Sequence, residues 1–574
     1  MEKHEFAELW TDAGLALRDS GEGPWQEYPR PSLRRESYLC LNGEWEFAAT
    51  DASREPAAFD RRITVPFPPE SRLSGIATVF PDGTGLWYRR RFTLPEGFFR
   101  GRVILHFGAA DQTARVWLNG KPLGSHEGGY SHFSFDVTDA LTAGENLLTV
   151  CVTDELDSHI LPYGKQKHKR GGMWYTPVSG IWQTVWAESV PAEYIRDIFF
   201  ETRGDRVFAR IDGASAGEIR VFTPGGELSV PFSDGMAEFT LDSPRLWSPE
   251  DPYLYRAEVT AGEDKIRTYF AVRSLEIKTV GGFPRLCLNG KEYFFCGVLD
   301  QGYYPDGIFT PASPSLFEDD ITAMKALGFN TLRKHIKVES ELFYYACDRL
   351  GMVVFQDMVN NGHYSFLRDT ALPTIGIKGL PDRRMHRDRR HRDGRHRDGR
   401  TREAFMRGME ETVGAVRRHP SVCYYTIFNE GWGQFCGDDA YRRLRALDDT
   451  RFIDTASGWF RCRESDVESL HVYFKPVKMP KSQRPIVLSE FGGYSYKLPG
   501  HAYNTEKTYG YRFFDDPEKF EAALRRLFDD EVLPACGCGL SAAIYTQLSD
   551  VEDETNGLLT YDRKPKIKHG KILK

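Results

Sequence analysis

The chain contains no run of about 18 apolar residues, the length needed to cross a bilayer, so no membrane-spanning helix is expected. An excess of positive charge is also missing: 75 Lys and Arg face 82 Asp and Glu, for a formal net charge of −7. That balance removes the cationic field which nucleic acid or an anionic membrane surface requires, and it leaves neutral or weakly charged molecules as the expected partners. The first residues, Met1-Glu2-Lys3-His4-Glu5-Phe6-Ala7-Glu8, are acidic and lack an apolar h-region, so a cytoplasmic location is expected rather than secretion. Cysteine is sparse, with 10 in 574 residues, and Cys151, Cys287 and Cys423 sit inside strand-like runs. This usage fits reduced thiols and argues against a disulfide framework. Cys536-Gly537-Cys538 is too closely spaced for a zinc pair and has no second ligand pair, so no metal is expected.

Aromatic residues are plentiful at 13%, with 11 Trp and 27 Tyr, enough to serve both cores and the apolar faces of sugar rings. A chain of 574 residues exceeds one core and should divide into several domains. Residues 1–188 read as short strands, among them Arg102-Val103-Ile104-Leu105-His106-Phe107 and Ala114-Arg115-Val116-Trp117-Leu118, the latter ending on Asn119-Gly120. Alternation closed by Asn-Gly is a strong hairpin signal, and the expected fold is a jelly-roll β-sandwich. Residues 189–276 continue as strands, with Ile219-Arg220-Val221-Phe222 before a Pro224-Gly225-Gly226 turn, and their small size suits an immunoglobulin-like sandwich.

From 277 to 574 the rhythm becomes strand-helix-strand. A helix over 317–327 stops at Gly328 before Asn330-Thr331-Leu332-Arg333, and one over 339–350 stops at Gly351 before Met352-Val353-Val354-Phe355. Continuous apolar strands between helices imply a parallel sheet covered on both faces, here a (β/α)₈ TIM barrel with its active site at the C-terminal strand ends. Two stretches depart from the pattern. The imperfect repeat His386-Arg387-Asp388, His391-Arg392-Asp393-Gly394-Arg395, His396-Arg397-Asp398-Gly399-Arg400 has almost nothing apolar, so 383–402 is expected to be a solvated loop. After the eighth strand, near 542–547, the basic tail offers no apolar stripe. A missing or replaced final helix, and a barrel less stable than usual for the fold, are expected.

Two segments carry the chemistry. Ile427-Phe428-Asn429-Glu430-Gly431-Trp432 and Ile486-Val487-Leu488-Ser489-Glu490-Phe491-Gly492-Gly493 each end an apolar run on a carboxylate. A glutamate there is costly to bury unpaired, so it should face a cleft. Two such groups at the mouth of one barrel suit glycosidic cleavage, one as acid/base and the other as nucleophile. Asn429 is a candidate for holding a sugar hydroxyl, although strict strand alternation would point it away from Glu430. Trp432 is a candidate apolar wall.

These motifs resemble glycoside hydrolase family 2, which contains β-galactosidases, β-glucuronidases and β-mannosidases. Leu41-Asn42-Gly43-Glu44-Trp45-Glu46-Phe47, Val116-Trp117-Leu118-Asn119-Gly120 and Gly180-Ile181-Trp182-Gln183 resemble its sugar-binding jelly roll, Asn429-Glu430 its acid/base motif after strand four, and Ser489-Glu490-Phe491-Gly492 its nucleophile motif after strand seven. The resemblance implies a retaining exo-β-glycosidase without a cofactor, acting on a small-molecule or oligosaccharide β-glycoside, β-galactosidase-like first, with β-mannosidase, pentosidase and β-glucuronidase specificities as alternatives. It also implies a homo-oligomer. Arg333 and His335 resemble a substrate-binding pair, Tyr473 a tyrosine that hydrogen-bonds the nucleophile, and Asp300 and Asp357 strand-end carboxylates for sugar hydroxyls. The family's glucuronidases carry Asn-x-Lys before a segment resembling Gly557-Leu558-Leu559-Thr560-Tyr561-Asp562. Here Glu554-Thr555-Asn556 stands in its place, which disfavours glucuronides. From a different class, a carbohydrate-binding protein that has lost catalysis is the rival reading.

Overall fold

The computed structural model describes residues 6–377, 382 and 397–573. In the first part of the chain, alternating apolar residues bury one face of each strand, and two antiparallel sheets of four and six strands close on Trp45, Phe47, Tyr88, Leu105, Val116 and Val150. Asn119 and Gly120, with φ of 53° and 76°, join Thr113–Leu118 to Lys121–Glu127. That left-handed pair is what a two-residue hairpin turn demands. A second region, from Asp197 to Phe270, forms one seven-stranded sheet. Its first and last strands meet where Phe200 stacks on Phe270 at 4.7 Å, so the sheet folds over a single core of Ile198, Val207, Ile219, Val221 and Val259.

Eight parallel strands follow: Phe295–Asp300, Thr331–Lys334, Val353–Asp357, Val422–Asn429, Phe452–Ser457, Glu468–Val472, Ile486–Gly492 and Leu540–Thr546. They pair in barrel order except across the seam between the fifth and sixth, where the Ser469 hydroxyl accepts from Gly458 N and donates to Ala456 O. Phe295, Leu299, Val353, Phe355, Tyr424, Phe452, Val487 and Ile544 fill the interior, with Trp247, Leu286 and Leu288 in the same cluster. Intervening residues such as Cys296, Val298, Leu332, Val354 and Leu488 pack in a separate cluster with the helices Ser315–Ala326 and Glu341–Leu350. Period-two alternation therefore separates an inward face from an outward one.

One expectation changes. Residues 383–396 of the His-Arg-Asp repeat lie outside the described residues, but from Arg397 the chain belongs to the helix Arg397–Val416 instead of a loop. Phe405, Met409, Val413 and Val416 are buried along that helix, and a buried stripe supports propagation back into a polar stretch. After the eighth strand no further helix occurs among the described residues. The tail nevertheless buries Ile567 and Ile572, and Ile572 N donates to Leu327 O at 2.9 Å, so an irregular chain covers the barrel in place of a final helix. Among the described residues no helix is long and apolar enough to cross a membrane, and all ten cysteines are free.

Candidate active site

Simple alternation along the seventh strand sends Val487 inward and Leu488 outward, which would send Glu490 outward too. Register shifts against both neighbouring strands, between Leu488 and Phe491 on one side and opposite Leu470 and His471 on the other, mark an irregularity there. This bulge re-aims Glu490 into the barrel. Its Oε1 accepts from Arg333 Nη1 at 3.1 Å and its Oε2 from the Tyr473 hydroxyl at 2.5 Å. Burial, the largest influence, pushes the Glu490 carboxyl up, but His471, Arg333, His335 and Lys165 together outweigh it and hold the group well below the usual carboxylate range. Glu490 is therefore an anion at neutral pH.

Glu430 reaches the same space by leaving its strand. The fourth strand ends at Asn429, and Glu430 and Gly431 have φ of 52° and 73°. Glu430 N donates to Ser457 O at 3.0 Å, and its carbonyl accepts from Trp459 Nε1 at 2.7 Å. A Cβ on residue 431 would fall 2.1 Å from the Phe460 ring, so glycine is required. The left-handed turn breaks the alternation that would have parted Asn429 from Glu430.

Between the two glutamates stands His471. Its Nδ1 lies 2.8 Å from Glu430 Oε1 and 3.5 Å from Glu490 Oε2. Its Nε2 is 3.0 Å from Ser457 Oγ, which donates to Ser489 Oγ, which donates in turn to Leu470 O. Because both serine protons are committed along that relay, Nε2 must be the donor to Ser457. Nδ1 and Glu430 then share one proton. Donor atoms of Glu430, His471 and Glu490 all lie within 4.8 Å of one another, as do those of Asp82, Asp157 and His168. A cation at the first trio would compete with the Arg333 and Tyr473 bonds already made to Glu490.

Arg333, 1% exposed, ties the remaining candidates together. Its Nε donates to Asp357 Oδ1 at 2.9 Å, its Nη2 to Asn429 Oδ1 at 2.9 Å and its Nη1 also to Ser489 O at 3.0 Å. With Oδ1 pinned, Asn429 turns its NH₂ away from Arg333, free to donate elsewhere. Asp357 Oδ2 lies 2.7 Å from His335 Nδ1. Burial, then Lys165, push His335 down to about 4 against the pull of Asp357, so the ring is neutral.

The sequence matches the family 2 glycosyl hydrolase sugar binding domain over residues 63–191, the central family 2 domain over 195–273 and the family 2 TIM barrel domain over 284–571. The chain belongs to glycosyl hydrolase family 2. A β-glucuronidase from Felis catus is 25% identical over 475 residues, covering 74% of this chain and 67% of that relative. A β-galactosidase from Pseudoalteromonas haloplanktis is 22% identical over 530 residues, covering 82% of this chain and 47% of its own length. The chain thus spans about half to two thirds of the length of these curated relatives. Among solved structures, a β-glucuronidase from an uncultured Clostridium species has the same fold, with a TM-score of 0.70 at 18% identity, covering 95% of this chain and 98% of that one.

Not every family-derived candidate joins the Arg333 network. Asp300 lies on the outward face with Cys296 and Val298, where its Oδ2 accepts from Lys334 Nζ at 2.6 Å and its Oδ1 from Gly302 N at 2.8 Å. The expectation that it faces the sugar is corrected: it braces the loop after strand one. Trp432 is buried among Trp174, Tyr163 and Tyr364, with ring centroids at 5.1, 5.4 and 6.3 Å. It supports an aromatic wall to which the sandwich domain contributes Trp174. Tyr511 stacks on Tyr473 at 3.7 Å. Sequence reasoning missed His471, although it shares strand parity with Tyr473 two residues on. Lys165, Trp174 and Tyr175 carry no comparable signal, since they lie on a loop of another domain.

Proposed function

We propose that this chain is a retaining β-glycosidase that removes terminal β-linked sugars by double displacement, with Glu490 as nucleophile and Glu430 as acid/base. The observation that carries the reading is the spacing: one oxygen of each carboxyl lies within 4.8 Å of the other. Retention calls for carboxyl groups about 5 to 5.5 Å apart, and inversion for about 6.5 to 9.5 Å.

Glu490, kept anionic between Arg333, Tyr473 and His471, attacks the anomeric carbon. The proton shared by Glu430 and His471 Nδ1 passes from Glu430 to the glycosidic oxygen as that bond breaks. In the second half, Glu430 takes a proton from water, the water oxygen displaces Glu490, and the sugar leaves with its original configuration. Asn429, its amide oriented by Arg333, donates to a hydroxyl beside the reacting carbon, and neutral His335 offers Nε2 to another. A sugar-binding protein without catalysis would have no need of an ionised, bulge-directed Glu490.

The relatives' names span glucuronidase and galactosidase, so a β-galactosidase-like specificity is one of two supported by likeness. Activated 2-deoxy-2-fluoro β-glycosides test the reaction itself. A covalent adduct on a Glu490 peptide, absent in Glu490→Gln, is the expected result. Undiminished hydrolysis of aryl β-glycosides by both Glu490→Gln and Glu430→Gln would sink the assignment.

A further inference from the structure

Most buried cations around the barrel mouth are matched to acids. Arg333 pairs with Asp357 and Glu490, Lys334 with Asp300 and Glu339, Lys337 with Glu339, Arg563 with Asp320 and Lys566 with Asp550. Lys165 differs. Among the described residues no carboxylate lies within ion-pair distance of its Nζ, which sits over the Tyr175 ring, 6.0 Å from the centroid.

The backbone fixes where this charge sits. Residues 163–175 leave the sandwich domain and lie on the barrel mouth, where Tyr163 N and Gly164 N both donate to Asn360 O at 3.1 Å and the Tyr163 hydroxyl donates to Gly362 O at 2.9 Å. Gly164 has φ of 64°, and a Cβ there would fall 2.9 Å from Ile336 O, beside His335. Only glycine permits that approach. The Lys165 carbonyl accepts from Tyr175 N at 3.0 Å, and the Tyr175 hydroxyl donates to Glu554 Oε2 at 2.7 Å, in the loop after the eighth strand. Lys165 is therefore bracketed by the loops after strands two, three and eight. Its charge is felt at Glu490, His335 and Glu554. A sugar whose anomeric carbon touches Glu490 must occupy the space among these groups.

Glu554 is a poor partner for Lys165. Its Oε2 already takes the Tyr175 hydroxyl and Gln547 Nε2, and burial moves its carboxyl upward, toward the neutral form. Asn556, at the position where family glucuronidases have lysine, is fully buried with its oxygen held by Gln547 Nε2 at 2.9 Å. The barrel thus lacks the cation whose absence disfavoured glucuronides in the sequence reading, while the sandwich domain brings one to the same mouth. A half-buried ammonium without an acid has lost solvation that a substrate carboxylate would replace with a charge-assisted hydrogen bond.

We propose that Lys165 is the specificity-determining cation of the glycone pocket, supplied across a domain boundary, and that the substrates are β-linked uronides whose carboxylate pairs with it. This rests on the glycosidase reading above. Glucuronides and galacturonides share the carboxylate and differ in one hydroxyl configuration, so both belong in the test. The measurement is kcat/KM for nitrophenyl β-glucuronide, β-galacturonide, β-glucoside and β-galactoside with the full chain and with Lys165→Met and Lys165→Arg. At least one uronide should exceed its neutral counterpart, Lys165→Met should lower that uronide-to-neutral ratio by about 100-fold, and Lys165→Arg should recover most of it. A wild type that prefers the neutral sugars, or a ratio unmoved in Lys165→Met, overturns the role of Lys165 while leaving the glycosidase standing. Hydrolysis of none of the four, with no adduct on Glu490, overturns both. If Lys165→Met fails to fold, the wild-type preference and Lys165→Arg decide.

Discussion

Two buried charge clusters share the C-terminal end of the barrel, and they are built for opposite purposes. In one, Asp300, Lys334, Lys337 and Glu339 neutralise each other: Lys334 Nζ contacts Asp300 and Glu339 at 2.6 and 3.0 Å, and Lys337 Nζ contacts Glu339 at 2.7 Å. Gly302 O and Phe309 O take further Lys337 bonds, so all three protons of that ammonium are committed. In the other, Arg333 holds Asp357, Asn429 and Glu490, yet Glu430, His471 and Glu490 still converge within 4.8 Å. The first cluster is closed and structural, and the second leaves the Glu430 side chain 21% exposed. Strand parity separates them, since Lys334 and Asp300 face the helices while Arg333 and Asp357 face the barrel interior.

The sharpest way to break that comparison is to remove one charge from each side. Glu490→Gln should cost at least about 10⁴-fold in kcat on aryl glycosides, because a nucleophile has no substitute in the site. Its urea midpoint should move little, as Arg333 keeps Asp357. Lys334→Met should do the reverse. Leaving Asp300 and Glu339 without their shared cation should destabilise the fold by about 3 to 5 kcal/mol in urea titrations. Activity per folded molecule should fall less than in Glu490→Gln. A stable but inactive Lys334→Met would mean that the two clusters are one functional unit.

Much of this was legible in the sequence, and the losses have physical causes. Glycine stops, apolar runs and Asn-Gly turns are local signals, so the sandwich strands, the barrel rhythm and both glutamates could be read directly. Asp300 and Asp357 looked alike because each ends an apolar strand. Counting parity from Val298 and Phe355 would have told them apart. Parity alone, however, would have misplaced Glu490, because the bulge after Leu488 has no residue signature. Asn429 and Glu430 escaped alternation through a left-handed turn that only Gly431 hinted at. Lys165 was out of reach altogether: its role depends on how one domain lies on another, which no short motif encodes.

A smaller effect sharpens the open cluster. His471→Asn removes the partner that shares the Glu430 proton and one of the charges that keep Glu490 ionised. A loss of about 10- to 100-fold in kcat is expected, with KM changing less. The acidic limb of the kcat/KM profile should also move to higher pH, since Glu490 loses an influence that lowers its carboxyl. A variant with reduced activity but an unshifted limb would reduce His471 to a packing role.

The smallest expected effect lies in stability rather than rate. His335 is held down to about 4 by burial and Lys165, with Asp357 opposing, whereas an unfolded histidine titrates near ~6.5. Between those values the unfolded chain carries a proton that the folded chain refuses, so folding gains stability as pH rises. That contribution is complete above about pH 6.5 and is lost on acidification toward pH 4, on the order of 3 kcal/mol across the window at most. His335→Asn should flatten this part of the stability curve, whatever it does to stability at neutral pH. Lys165→Met removes one of the two main influences depressing His335, so its slope should fall between wild type and His335→Asn. A flattened slope in His335→Asn with a wild-type slope in Lys165→Met would mean that the Lys165 charge is not felt at His335.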